Sequence, residues 1–158
     1  MNQANNLLEE LTTHRQRVDS QDIVGEQSNG YYTSINNFLI SIVSQLTFSV
    51  EQGEVIRQLN AYYNLLNIKE LAGITGRSSV YISSFNSFAN ESIQNELAGV
   101  LASDLAQNLL GMRGIAIEQG TAGNFNVDHQ QWFEQQTALI DQIAVVEQKA
   151  AEVLLETA

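Results

Sequence analysis

The chain has 158 residues, with 7 Lys and Arg against 18 Asp and Glu and a formal charge of -11. That balance offers no basic footprint for nucleic acid or anionic lipid, and the absence of cysteine excludes disulfides, thiolate metal sites and thiol nucleophiles. With no proline, ten glycines and 44% hydrophobic residues, little interrupts a helix, and the composition predicts one all-α domain over 1–158.

Apolar spacing places a first helix at about Asn5 to Val24, with Leu7, Leu8, Leu11 and Val18 on one side and Gly25 as its stop. Glu10 and His14 lie one turn apart and read as an exposed i,i+4 pair rather than as metal ligands. A second helix runs from about Gly30 to Phe48, where Tyr32, Ile35, Phe38, Leu39, Ile42, Val43 and Leu46 form a wide apolar face. The stretch Gln27 to Val50 carries no charge but is too rich in Asn, Ser and Gln to span a bilayer readily, so it reads as a helix buried among others. Ser49 and Gln52 read as a capping box for a third helix, which begins beside Gly53 and, as the longest element, ends near Phe88. Asn90 is the N-cap expected for a fourth helix through Ile93, Leu97, Leu101, Leu105, Leu109 and Ile115. Gly120 to Asn124 is the clearest loop. Asp128 precedes a last helix with a near-heptad stripe of Phe133, Thr137, Ile140, Ala144, Glu147, Ala151 and Leu154. About five helical segments result, and an antiparallel up-down bundle of the four-helix type buries their faces most economically. No apolar leader follows Met1, and a chain that starts and stops inside helix is expected to be a module of a longer protein.

Enzyme motifs are missing: there is no phosphate loop, no HExxH and no GxSxG, and neither His14 nor His129 has Glu three positions ahead of it. The expectation is therefore no catalysis, no metal site and no cofactor. With so few cations, those inside apolar stretches need explaining. Lys69 and Arg77 lie in such a stretch, and Arg113 lies between Gly111 and Gly114 beside Leu109 and Leu110. A partly buried guanidinium needs an anionic or carbonyl partner. Either it pairs with a carboxylate such as Glu70 or Asp104, or it faces an anion pocket. Gly73, Gly76, Gly111 and Gly114 each cost roughly 1 kcal/mol in a helix interior, and close helix packing is the simpler of two explanations, room for a small ligand being the other. The pairs Tyr31-Tyr32 and Tyr62-Tyr63 can donate hydroxyls to a pocket or fill a seam.

Four blocks in order resemble the nitrate- and nitrite-sensing domain of bacterial chemotaxis receptors, histidine kinases, cyclases and antiterminators. Arg15-Gln16-Arg17-Val18-Asp19 resembles its Arg-x-x-Val-Asp segment, Tyr32-Thr33 through Leu39 its Tyr-Thr-x-x-Ile-x-x-Leu block, and Lys69 to Gly73 its Lys-Glu-x-x-Gly. Trp132-Phe133 through Asp141, with Glu147 beyond, resembles its closing helix. Where the family has Arg three positions after the Gly, this chain has Gly76, and Arg77 follows one step later. No counterpart of the family's upstream Gln-x-Glu-Arg-Gly segment is present, so the resemblance covers roughly the later two thirds of a full-length domain.

The resemblance implies an all-helical sensor that binds nitrate, nitrite or a similar small anion between helices and signals to an attached module. A guanidinium fork matches the edge of a planar oxyanion with two parallel hydrogen bonds. Arg113 is the first expected contact, ahead of Arg77 and Arg15, while Arg57 and Lys149 lie on more polar faces. The expected setting is the periplasmic part of a transmembrane receptor, a chemotaxis receptor or histidine kinase with cytoplasmic signalling modules. The two mostly uncharged segments, Gln27 to Val50 and Ser78 to Asn90, favour a homodimer. The alternative is a ligand-independent structural or dimerisation bundle of such a receptor.

Overall fold

Helix is the one regular structure among the described residues of the computed structural model, which are 2–72, 78–119 and 127–158. In chain order they form α1 (Asn2–Glu9), α2 (Leu11–Asp19), α3 (Gly25–Leu46), α4 (Gly53–Leu71), α5 (Ser78–Phe88), α6 (Glu91–Leu101), α7 (Asp104–Gln119) and α8 (His129–Thr157). The all-α expectation holds. The chain divides into two compact units, residues 1–49 and 50–158.

In the first unit, α1 packs on α2 and α3. The helix expected from Asn5 to Val24 is interrupted at Glu10 and ends earlier, and Gly25 opens α3 instead of stopping α2. The stop is Gln21, whose φ of 59° is left-handed. There the Asp22 N–H donates to the Arg17 carbonyl at 2.9 Å, closing the last turn. The face of α3 is only partly covered: Ile35 and Ile40 are buried, whereas Leu39, Ile42 and Leu46 remain exposed. The expectation of a helix buried among others is thus corrected.

His14 is corrected too, because it is buried rather than paired on the surface with Glu10. Its ring stacks on Tyr31 at 3.8 Å between centroids and meets Tyr32 edge-on at 5.3 Å. The Tyr31 hydroxyl donates to the Leu7 carbonyl, tying α3 to α1. Burial, with Glu10 nearby, pushes the Tyr31 hydroxyl above its ordinary pKa.

The second unit is an up-down bundle. The Arg57 guanidinium, near the start of α4, donates to the Phe88 carbonyl at the end of α5, so these helices run antiparallel. The Tyr62 hydroxyl and Lys69 ammonium of α4 both reach Glu147 of α8, and Lys149 of α8 pairs with Glu96 of α6 at 2.6 Å. Leu65, Ile68, Phe85, Leu97, Ile143 and Val146 form the fully buried centre.

Local chemistry sets most boundaries here. Asn90 caps α6 by accepting the Ile93 N–H at 2.9 Å, and Asp128 caps α8 by accepting the Gln131 N–H at 2.8 Å, as expected. That N–H holds the Asp128 carboxyl below the usual carboxylate range. The Ser49–Gln52 capping box does not form: Gln52 stands at the N-cap of α4 with no side-chain hydrogen bond. The helix expected through Ile115 breaks after Leu101, where the Ser103 hydroxyl accepts the Ala106 N–H at 3.3 Å and starts α7. α4 stops at Leu71, so α8, with 29 residues, is the longest described helix. The expected loop at Gly120 to Asn124 lies outside the described residues, as do Gly73, Gly76 and Arg77.

The seam of α8 also differs. Its buried positions are Leu139, Ile143, Val146 and Ala150, one residue before the expected stripe, and Phe133 of that stripe is 71% exposed. Both stripes alternate in steps of three and four, so a rotation of about 100° exchanges them. No described helix is long and apolar enough to cross a membrane.

Candidate functional site

Where α4 to α8 come together, the second unit holds a partly open cavity of about 220 Å³. α4 supplies Ile68, Leu71 and Ala72, α7 supplies Leu109 and Arg113, and α8 supplies Trp132, Gln136, Leu139 and Ile143. The walls are apolar except at Arg113 and Gln136. Arg113, half-buried, brings the one charged side chain among the described lining residues.

Arg113 forms no ion pair with a described residue, unlike Arg57, Lys69 and Lys149. The carboxylate partners weighed for it, Glu70 and Asp104, do not line the cavity. On α8, the amide Nε2 of Gln136 is buried and has no hydrogen-bond partner among the described residues. A buried donor left unmade costs about 1–3 kcal/mol, so a guanidinium and an orphan N–H on one apolar cavity constitute a demand for an acceptor. Among the described residues no carboxylate lines the cavity to supply it. A bound acceptor with two or more lone pairs satisfies both groups.

The remaining sequence candidates are placed elsewhere or committed. Arg15 is exposed on α2 in the first unit, and Arg77 lies outside the described residues. Lys69 pairs with Glu147 rather than with Glu70 or Asp104, and both side chains are more than two thirds buried. Tyr62 donates to the same carboxylate at 3.3 Å, and burial followed by the Glu147 charge raises its pKa. Neither tyrosine pair lines the cavity. Close helix packing does not explain Gly111 and Gly114, because a methyl added at either would meet nothing within 4 Å. Among the described residues no group of His, Asp and Glu is arranged to hold a metal.

Sequence reading singled out Arg113 but missed Gln136. The available signal was spacing: Trp132, Gln136, Leu139 and Ile143 fall at steps of four, three and four, so Gln136 interrupts an otherwise apolar stripe.

Over 66 residues, 42% of this chain, the sequence is 33% identical to the nitrate regulatory protein of Klebsiella oxytoca, and the matched part spans 17% of that protein's length. No solved structure matches the chain significantly. The family described as nitrate and nitrite sensing matches residues 1–76 and 74–155. Covered by that family over nearly its whole length, the chain belongs to the nitrate and nitrite sensing domains.

Proposed function

We propose that the protein is the ligand-binding sensor domain of a bacterial signal-transduction receptor and that its ligand is nitrate, nitrite or a similar small anion, held in the second unit's cavity. The observation that carries this reading is that the Arg113 guanidinium and the Gln136 amide, neither with a partner among the described residues, line one largely apolar cavity. Nitrate accepts two parallel hydrogen bonds along one edge from the guanidinium fork, leaving its third oxygen for the amide. In a chain of charge -11 the overall field repels anions, so affinity must come from such local donors. The protein senses and does not catalyse, takes no cofactor and holds no metal. Should Arg113 not hold the anion, Arg77 and Arg15 are the next positions to test. Both compact units serve as one sensor domain of a larger receptor, facing the periplasm and joined to transmembrane and cytoplasmic signalling modules.

Titration calorimetry with nitrate, nitrite and chloride tests the proposal. Arg113→Ala is expected to weaken nitrate binding by about 1.5–3 kcal/mol, roughly ten- to a hundredfold. Arg113→Lys restores it only in part, because a point ammonium cannot reproduce the fork. Lys149→Ala, which removes a cation engaged by Glu96, leaves nitrate affinity unchanged. Equal nitrate binding by wild type and a folded Arg113→Ala variant would place the anion elsewhere.

A second reading, a dimerisation bundle that needs no ligand, is favoured by the exposed Leu39, Ile42 and Leu46 of α3. The two readings meet in a homodimeric sensor. Sedimentation that finds only monomer, with and without nitrate, removes the dimer from both.

A further inference from the structure

The cavity is larger than its expected occupant. Nitrate has four heavy atoms and takes the space of about two waters, on the order of 60 Å³ at roughly 30 Å³ each. Some 160 Å³ of the 220 Å³ is therefore left over. That remainder is bounded by Ile68, Leu71, Ile82, Leu109, Leu139 and Ile143. Its apolar lining favours a hydrocarbon body over the water that otherwise occupies it.

We infer that the same cavity binds amphipathic monocarboxylates, with the carboxylate on Arg113 and Gln136 and a short alkyl or aromatic body in the apolar remainder. This rests on the reading that Arg113 is the anion contact. A carboxylate presents the same two-oxygen edge as nitrate to the guanidinium fork, and one lone pair stays free for the Gln136 amide. The one cation among the described lining residues favours a single negative charge, because a second carboxylate there would lie without a counter-charge. Trp132 lines the cavity, so an aromatic body has an aromatic partner there. At roughly 30 Å³ per carbon the remainder holds about five or six carbons beyond the carboxylate.

The sequence contains a single tryptophan, and it lines the cavity, so intrinsic fluorescence reports occupancy directly. The test titrates the protein with acetate, propanoate, butanoate, 3-methylbutanoate and decanoate, and in parallel measures nitrate by calorimetry. Affinity is expected to rise about fourfold per added methylene, to fail for decanoate, and to disappear in Arg113→Ala. Ala72→Leu, which fills part of the apolar wall, should blunt the chain-length trend. Nitrate should displace bound butanoate. Nitrate binding that depends on Arg113 without any chain-length trend overturns the inference and leaves the sensing proposal standing. Butanoate binding that depends on Arg113 without nitrate binding does the reverse. A chain-length trend that survives both Arg113→Ala and Ala72→Leu places the acids outside the cavity and overturns the inference as well.

Discussion

Val145 and Val146 are neighbours on α8 with opposite environments: Val146 is 2% exposed in the core, Val145 56% exposed. Truncating each to alanine is a direct measurement of which stripe faces inward. At Val146 the loss of two buried carbons costs about 1.6 kcal/mol at roughly 0.8 kcal/mol each, and the space left behind raises this to about 2–3 kcal/mol. At Val145 the partial loss of burial, about 0.5 kcal/mol, is offset by a similar gain in helix propensity on replacing a β-branched residue by alanine. The two variants should differ by about 2 kcal/mol or more, which at roughly 3–5 °C per kcal/mol separates their Tm values by about 6–10 °C. Thermal and urea unfolding followed by circular dichroism read this directly, with similar m-values confirming that the unfolded state is not what changed. Equal Tm values, or a Val145→Ala variant less stable than Val146→Ala, would refute the register and return the seam to the stripe through Ile140 and Ala144.

Asn90→Ala removes the acceptor of the Ile93 N–H and should cost about 1 kcal/mol, while Asn90→Ser retains most of it in the same melts. The Arg57 guanidinium, then the Gln58 amide, push the Glu54 carboxyl down from 4.5 to about 2. Folded protein therefore binds that proton less readily than unfolded protein, so the contribution of Glu54 is fully present above about pH 4.5 and is lost as pH falls towards about 2. Wild type should exceed Glu54→Gln in stability at neutral pH, and the difference should shrink across that acid window in denaturant midpoints. A double-mutant cycle of Lys69→Met and Glu147→Gln should return a coupling of about 1 kcal/mol, between the values typical of exposed and buried pairs. Additive effects would show that this pair does not hold α4 to α8.

What the sequence disclosed, it disclosed through interactions that close within one turn. Asn90 and Asp128 satisfy N–H groups three residues away, and these caps depend on nothing distant. The α8 seam was not legible in the same way. Two apolar stripes one residue apart fit the 4-3 spacing equally, and the choice between them falls to partners on α4, α6 and α7 rather than to α8 itself. His14 was misplaced for a related reason, since its burial comes from Tyr31 and Tyr32, seventeen and eighteen positions along the chain. At the candidate site, Arg113 stood out because a lone cation among Leu109, Leu110 and glycines is conspicuous. Gln136 did not, because glutamine is as ordinary on a helix surface as it is informative in a cavity.

The two ion pairs of α8 sit almost level, at Glu147 and Lys149, and grip it from α4 and from α6. Were α8 to pivot rigidly at that level, they would act as a fulcrum. With 1.5 Å of rise per residue, Gln136 lies about 18 Å to one side of residue 148 and Thr157 about 14 Å to the other. A sideways pull of 1 Å on the amide of Gln136 therefore emerges at the far end of the helix as about 0.75 Å in the opposite direction. Cutting either ion pair would leave the cavity chemistry intact and let this lever slip.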